Sequence, residues 1–430
     1  MIGLRMLTSV SFTMLTIACT VSPRANTPYG KAEATLCRLT APRAVPPKTV
    51  VTPYLQYRIE PGVNVVWCAT FQMAWDKLKE IEGGDVKTSP DNVTVSKLNR
   101  ESIVADCLPR LGALSVAGLV RDGVLEDIQA RTERLAGAPQ AISLPPRGSL
   151  AQDAVIMYAC LARSLHYAIP FKVLPSRRFG GADGKVVYFG VDEYDPLLDS
   201  KKKQGSQIRV LWHRFTPDAG SIMRQEFAIE LVTTEKDDRL ILAKVSPAST
   251  LRETVNMVLR HVEHPNTKKA GEDGVALEEG ELRELARAEN PDPSRRDSVM
   301  QSVSGYCCLL FDEDVRIPRI RIELSKRVDQ LIGVNIVSQK EKLDRKPIIV
   351  AEQQIRFSLD ETGANLESQA LMALFGSRGI RDFSFTSPFV LLLMRQGAST
   401  PYFAAWIGNS ELLVEEAGQA PIAGNLGTPY

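Results

Sequence analysis

The fold of this chain is decided near its C-terminus, by the stretch Ile348–Leu359 (IIVAEQQIRFSL), the segment Asp360–Ala364 (DETGA) and the stretch Phe385–Leu393 (FTSPFVLLL). The apolar and β-branched residues of the first and last stretches predict strands. Gly363 and the acidic residues before it are typical of the end of a strand. A long connection therefore separates two strands here.

The rest of the chain adds strands and helices that do not alternate regularly. The continuous apolar run Val155–Leu161 is typical of a central strand buried on both faces. Apolar residues recur at three- and four-residue steps in Trp67–Ile81, which predicts a helix ending at Gly83. Further strands are expected at Lys185–Phe189, Gln207–His213, Glu226–Thr233, Leu240–Val245, Val315–Leu324, Phe389–Met394 and Tyr402–Ile407, and further helices at Val124–Leu135 and Thr250–His261. This pattern predicts an α+β fold with large, mostly antiparallel sheets.

The N-terminus has the character of a bacterial export signal. Arg5 supplies a positive start, and the uncharged Met6–Ile17 is too short to span a bilayer as a stable anchor. The segment ends in Ala18-Cys19, which resembles the lipobox of bacterial lipoproteins. We therefore expect residues 1–19 to be a signal peptide and Cys19 to be lipidated, which places the protein in the bacterial cell envelope. The alternative is a plain secretory signal, with release of the protein and Cys19 incidental.

The remaining chain is expected to form one domain. Residues 20–52 are rich in Pro, Thr and Ala and predict a tether with polyproline character. Residues 53–420 are expected to fold as a single domain that carries a charged insertion at 265–312, and residues 421–430 are a tail. A monomer is expected.

Composition and motifs argue against several functional classes. Among the 430 residues, 52 Lys and Arg stand against 51 Asp and Glu, a formal net charge of +1, so no nucleic-acid partner is expected. No G-x-S-x-G motif provides a hydrolase nucleophile. His261 and His264 are spaced for a metal on a helix face, but a solvated face is the simpler interpretation, and His166 and His213 are interpreted as structural. The sequence therefore predicts no enzyme, no cofactor and no metal.

Six cysteines remain besides Cys19. Cys68 and Cys160 lie in apolar runs and are expected to be buried thiols. Cys37 and Cys107 form the disulfide pair to test if the compartment is oxidising. The adjacent Cys307-Cys308 is interpreted as strand packing.

Read in order, the segments resemble serpins, the serine protease inhibitor family. The resemblance is carried by Val315–Leu324 followed by a short helix, by the acidic, Thr- and Gly-containing segment after Ile355–Leu359, and by Phe385-Thr386-Ser387-Pro388-Phe389 before two closing strands. It extends over about residues 55–428 and is specific only over about 313–407. It implies that Val155–Leu161 and Ile348–Leu359 are neighbours in one large sheet.

The resemblance also implies the site residues. Glu361, Thr362, Gly363 and Ala364 would form the hinge of an exposed reactive loop, and Ser377, Arg378 and Gly379 would form its scissile region. Arg381 is a second flexible candidate for recognition by a trypsin-like protease. The implied partner is a serine or cysteine protease, with the membrane as a second partner through Cys19.

Three functional hypotheses follow. The first is an inhibitor that acts by loop cleavage and insertion of the loop into the large sheet, and the second is a non-inhibitory binding or scaffold protein of the same fold. The third is an enzyme on an unrelated α+β fold. Gly363 and Ala364 suit insertion because they are small, whereas Asn365, Leu366 and Glu367 differ from the alanine-rich hinge of inhibitors.

Overall fold

The computed structural model describes most of the folded chain. The described residues are 45–103, 107–109, 112–136, 150–163, 165–182, 184–192, 198–216, 224–265, 304–310, 313–363 and 381–416. Within these ranges no helix is both long and apolar enough to cross a membrane.

Strands outnumber helices in the described chain. The strands are β1 (Thr49–Thr52), β2 (Asn64–Cys68), β3 (Lys87–Ser89), β4 (Ala113–Leu119), β5 (Val155–Arg163), β6 (Lys172–Arg178), β7 (Lys185–Val191), β8 (Ile208–Thr216), β9 (Arg224–Leu231), β10 (Asp238–Lys244), β11 (Val315–Pro318), β12 (Ile320–Arg327), β13 (Asn335–Val337), β14 (Ile348–Leu359), β15 (Phe383–Ser384), β16 (Phe389–Arg395) and β17 (Phe403–Ile407). The helices are α1 (Ala69–Glu82), α2 (Val93–Asn99), α3 (Val124–Ala136), α4 (Leu198–Gly205) and α5 (Leu251–Glu263).

These strands form three larger sheets and one small one. The seven-stranded sheet has the order β1-β2-β17-β16-β10-β9-β8, and all its pairs except β1 with β2 are antiparallel. We call the four strands β12-β14-β5-β4 the central sheet and the four strands β15-β11-β7-β6 the loop sheet, because β15 follows the long connection. β13 pairs with β3. The α+β class with mostly antiparallel sheets, expected from the sequence, is confirmed.

Helices cover both faces of the central sheet. On one face, Phe71, Trp75 and Leu78 of α1 pack with Val155 and Met157 of β5. On the other face, residues of α3 pack with Ile156 and Tyr158. Since successive side chains of a strand point to opposite faces, this double cover explains the uninterrupted apolar run of β5.

Helix α1 ends where the sequence indicated. Gly83 adopts the left-handed conformation (φ 86°), and its N–H donates to the carbonyl oxygen of Lys79. This C-cap favours glycine because a side chain would be strained at positive φ. The predicted start is wrong by two residues, because Trp67 belongs to β2 and the helix begins at Ala69.

Two other predicted boundaries differ from the structure. The predicted strand Val315–Leu324 is two strands in two sheets, β11 and β12, which meet at Pro318-Arg319. Pro318 has no N–H to donate, and the N–H of Arg319 donates to Val187 of the loop sheet. Thr49–Thr52, assigned to the tether, forms β1, where the side chain of Asn64 joins Thr49 to Asn409.

Candidate functional site

A parallel pair of strands lies in the middle of the central sheet. β14 and β5 run parallel from Ile348 opposite Val155 to Phe357 opposite Arg163, whereas β12 and β4 are antiparallel to their neighbours. We call the line between β14 and β5 the seam. Parallel pairing is slightly less stable per residue than antiparallel pairing, so the seam is the ladder of this sheet with the least stable pairing per residue.

β14 runs directly into the predicted hinge at one end of the seam. The N–H of Thr362 donates to Oδ1 of Asp360 at 2.9 Å, which closes a tight turn. The N–H of Phe171 donates to the carbonyl oxygen of Glu361 at 2.8 Å. Gly363 has φ 99°, and a Cβ there would lie 2.2 Å from the carbonyl oxygen of Leu165. The turn therefore needs glycine and is docked on the chain that follows β5.

An ion pair between Arg319 and Glu361 also fixes the hinge. The side chain of Glu361 is buried, and Nε of Arg319 donates to its Oε2 at 2.7 Å. Nη2 of Arg319 donates to Oε1 of the same carboxylate. This two-point contact is the strong form of an Arg–carboxylate interaction, and Arg319 stands where β11 passes into β12. The hinge is thereby tied to the junction of the loop sheet and the central sheet.

The carboxylate of Glu235 holds the chain segment after β5, on which the hinge turn is docked. Glu235 accepts a hydrogen bond from the N–H of His166 at 2.8 Å through Oε2, and its Oε1 lies 2.9 Å from Nδ1 of His166. Burial alone would raise the pKa of the Glu235 carboxyl, but the hydrogen bonds from His166 outweigh it and the pKa is lowered. His166 is thus a structural residue of the hinge support.

The return end of the long connection is anchored by a buried charge pair. Arg381 is fully buried, and its Nε and Nη2 donate to Glu313 at 2.5 and 2.8 Å. Nη1 and Nη2 also donate to the carbonyl oxygens of Tyr306 and Cys308. The expectation that Arg381 is a flexible residue for protease recognition is therefore wrong, because this guanidinium has no exposed surface.

His213 belongs to the same anchor. Its Nε2 lies 3.1 Å from Oε1 of Gln225, and that oxygen also accepts from the N–H of Asp382, beside Arg381. Burial lowers the pKa of His213 to about 3. The imidazole is therefore neutral at neutral pH, which agrees with the structural role expected from the sequence.

A polar cluster lies beneath the seam, where α1 begins. Nε2 of Gln353 on β14 donates to the carbonyl oxygen of Cys68 at 3.1 Å, and Oγ of Ser115 on β4 donates to that of Thr70 at 2.7 Å. Burial raises the pKa of the Cys68 thiol to about 12 and that of Cys160 to about 11. Both cysteines are buried thiols, as expected.

The structure describes some of the predicted site residues and not others. Glu361, Thr362 and Gly363 lie together at the end of the seam. Ala364, the scissile region Ser377, Arg378 and Gly379, the lipidation residue Cys19 and the cysteine Cys37 lie outside the described residues. The ring of His261 contacts that of Trp212, with centroids 4.3 Å apart and a tilt of 51°. In the described ranges no group of three or more His, Cys, Asp or Glu could hold a metal ion.

Several residues of the site were missed by the sequence analysis. Arg319 and Glu235 hold the hinge and its support, and Glu313 holds the return end. Each is separated from its partner by at least 42 positions in the sequence, and nothing in the local pattern marks them.

Comparisons with known proteins give a structural similarity only. No protein-family model matches the sequence, and no curated protein matches it. Among solved structures, the chain is similar to Serpin48 of the insect Tenebrio molitor, with 11% identity, 82% of this chain and 92% of that chain covered, and a TM-score of 0.38. It is similar to human glycosylated kallistatin, with 11% identity, coverage of 81% and 92%, and a TM-score of 0.37. Native protease nexin-1 with heparin gives 10% identity, coverage of 79% and 97%, and a TM-score of 0.35.

These similarities are too low to carry an argument about this chain.

The first prediction concerns the buried pair Arg381–Glu313. Arg381→Met leaves the Glu313 carboxylate buried without its partner, so we expect the free energy of unfolding to fall by about 3–5 kcal/mol. Urea unfolding measures this change. Arg209→Gln is the matched control, because Arg209 is 64% exposed and lies 3.7 Å from its partner Glu230, and an exposed pair contributes at most about 1 kcal/mol. Equal losses in the two variants would contradict the assigned anchor.

The second prediction concerns the pH dependence set by His213. Its pKa is about 3 in the folded chain against an ordinary value of 6.5, so between these values the unfolded chain binds a proton that the folded chain does not. Its contribution to stability is complete above about pH 6.5 and is lost as the pH falls towards 3. One pKa unit corresponds to about 1.4 kcal/mol, so the free energy of unfolding should fall by a few kcal/mol over this pH range.

The measurement is urea unfolding of His213→Asn at a series of pH values. The variant should show a shallower decline of stability than the unchanged protein between pH 6.5 and 4. The exposed His264→Asn variant is the control and should keep the original slope. If the slope of stability against pH is unaltered in His213→Asn, the claim that the His213 imidazole is buried and neutral would be refuted.

Proposed function

We propose that this chain is a serpin-like protease inhibitor, in which a protease cuts the long connection and the freed strand inserts into the seam. The observation that supports this most is the parallel pairing of β5 with β14, immediately before the hinge. No catalytic step is assigned to the protein.

Strand direction makes insertion at the seam favourable. The hinge turn at Asp360–Gly363 reverses the chain that leaves β14. A strand that continues from Gly363 along the seam runs antiparallel to β14, and therefore also antiparallel to β5. Insertion replaces one parallel ladder by two antiparallel ladders, which adds main-chain hydrogen bonds and buries apolar side chains.

Both ends of the connection are held by ion pairs, Glu361 by Arg319 at the hinge and Arg381 by Glu313 at the return. The N-terminal side is also continuous with β14. After a cut at Ser377–Gly379, the N-terminal part is therefore free to enter the seam while the return end stays in place.

Side-chain alternation decides whether the inserted strand fits. Ala364, Leu366, Ser368 and Ala370 share one face of an extended chain, and Glu367 belongs to the other face. Glu367 on a solvent-facing side would be tolerated, whereas burial of a lone carboxylate would be unfavourable.

A non-inhibitory binding or scaffold protein is the second candidate. It is favoured by the completeness of the seam, since β5 and β14 are paired from Val155 to Arg163, and by the docked hinge at Gly363. The side chains of Leu366 and Glu367 are also larger than the small side chains that favour insertion. In this alternative the connection serves as a binding surface and the central sheet stays as it is.

The third prediction distinguishes the two candidates. A single cut at Ser377–Gly379 should raise the unfolding temperature strongly if the loop inserts, because hydrogen bonds and apolar burial are gained together. Ala364→Arg should abolish the gain, because it would bury an unpaired charge. The measurement is limited proteolysis followed by thermal unfolding, with a search for a protease complex that survives SDS.

Ala364→Ser is the matched control, because serine is small and uncharged and should keep the gain in unfolding temperature. A clean cut without stabilisation and without a complex would eliminate the inhibitor and leave the scaffold.

We also propose that Cys19 becomes the lipidated N-terminus and holds the protein in the bacterial cell envelope. The proposal is supported by Arg5, the uncharged Met6–Ile17 and Ala18 immediately before Cys19. Two or more acyl chains on one residue give stable attachment, which a single chain does not.

The fourth prediction tests this attachment. Cys19→Ser should block processing and release the protein from the membrane fraction, as measured by fractionation and gel mobility. Cys37→Ser is the matched control and should remain attached. Membrane retention and mobility that do not change in Cys19→Ser would exclude lipidation at this residue.

A further inference from the structure

Arg316 on β11 carries a buried charge that the proposed inhibitory mechanism does not use. The residue is 5% exposed, and its Nε and Nη1 are buried without a hydrogen-bond partner. Among the described residues, its guanidinium forms a single ion pair, which joins Nη2 to Oδ2 of Asp314 at 3.6 Å, a distance longer than a hydrogen bond. Buried guanidinium groups are normally satisfied by several acceptors, so this one indicates that an acceptor is to be supplied from outside the described residues.

A second unsatisfied donor lies on the same face of the loop sheet. Arg316 pairs with Gly190 and Pro318 pairs with Tyr188 in the antiparallel ladder of β11 and β7. Paired residues and residues two apart along a strand share a face, which places Arg316 and Tyr188 side by side. The hydroxyl of Tyr188 is also buried without a partner.

The neighbouring strand β6 adds positive charge. Gly190, which pairs with Arg316, pairs across the next ladder with Lys172 on the edge strand β6. Lys172 is 41% exposed, and Arg177 further along β6 is exposed too. Both cations therefore favour an anion near Arg316.

The nearby carboxylates do not satisfy the Arg316 guanidinium. Asp192 lies 3.6 Å from Lys172, and Asp314 is at the long distance given above. Burial lowers the pKa of Arg316 and Arg177 lowers it further, in spite of the opposing influence of Asp314, Asp192 and Asp382. The local field therefore still favours an additional negative charge.

We propose that Arg316 and Tyr188 form a binding site for a small tetrahedral oxyanion of the phosphate or sulfate class. Such an ion offers several acceptor oxygens and the negative charge that the guanidinium lacks, whereas a water molecule offers no charge. The site is in the loop sheet, and its existence does not depend on protease inhibition.

Occupancy of this site would also strengthen the return end of the long connection. Arg316 pairs with Ser384 of β15, and the N–H of Phe385 donates to the carbonyl oxygen of Arg316 at 2.8 Å. An ion bound at the guanidinium stabilises β11 and, through it, the pairing that holds β15.

The test is thermal unfolding in millimolar inorganic phosphate, with chloride at equal ionic strength as the reference. A ligand that binds only the folded chain raises the unfolding temperature as its concentration increases. We expect a rise of several degrees with phosphate in the unchanged protein and no rise in Arg316→Gln. Arg321→Gln is the matched control, because Arg321 is on the adjacent β12 and its Nε already donates to Glu323, so it should keep the full response.

A milder variant covers the case in which Arg316→Gln does not fold. Tyr188→Phe removes only the hydroxyl, and we expect calorimetric titration with phosphate to show a dissociation constant several-fold weaker than that of the unchanged protein. Sulfate should bind like phosphate, and acetate should bind much more weakly. An equal response to phosphate and chloride, or an unchanged phosphate affinity in Tyr188→Phe, would overturn the site, and acetate binding as tight as phosphate would overturn the assigned class.

Discussion

The parallel ladder between β5 and β14 is the interaction on which the rest of this structure depends. It joins a strand from the first half of the chain to one near its end, and every other pair of the central sheet is antiparallel. Helices α1 and α3 cover the two faces of this sheet, so its strands are held by packing as well as by hydrogen bonds. The seam is consequently fully formed and yet is the one place in the central sheet where an added strand would convert weaker pairing into stronger pairing.

Charge pairs hold the ends of the long connection that leaves the seam. Glu361 is clamped by Arg319 at the hinge, and Arg381 is clamped by Glu313 at the return. Buried pairs of this kind contribute little net stability compared with apolar packing, but the loss of one partner is strongly destabilising. They therefore act chiefly to fix where the long connection begins and where it ends.

The sequence predicted elements well wherever a long apolar pattern had clear ends. The bounds of Ile348–Leu359 match β14, and the apolar run Val155–Leu161 lies inside β5. Prediction was wrong where one residue redirected the chain, as Pro318 does between β11 and β12. The end of β14 before Gly363 could be predicted because a turn is local, whereas the hinge role of Glu361, Thr362 and Gly363 was implied by the resemblance to serpins.

Their partners could not be predicted, because long-range pairing leaves no local signal. Arg381 was interpreted as flexible, whereas it is buried and bound by Glu313, 68 positions away. The central claim, that the seam receives the cut loop, is tested most directly by the crystal structure of the protein after one cut at Ser377–Gly379. Insertion predicts a five-stranded central sheet in which the paired residues Gln353 and Ala159 move from one strand spacing of about 4.8 Å to about 9.6 Å apart. A four-stranded sheet with Gln353 still opposite Ala159 would contradict the claim.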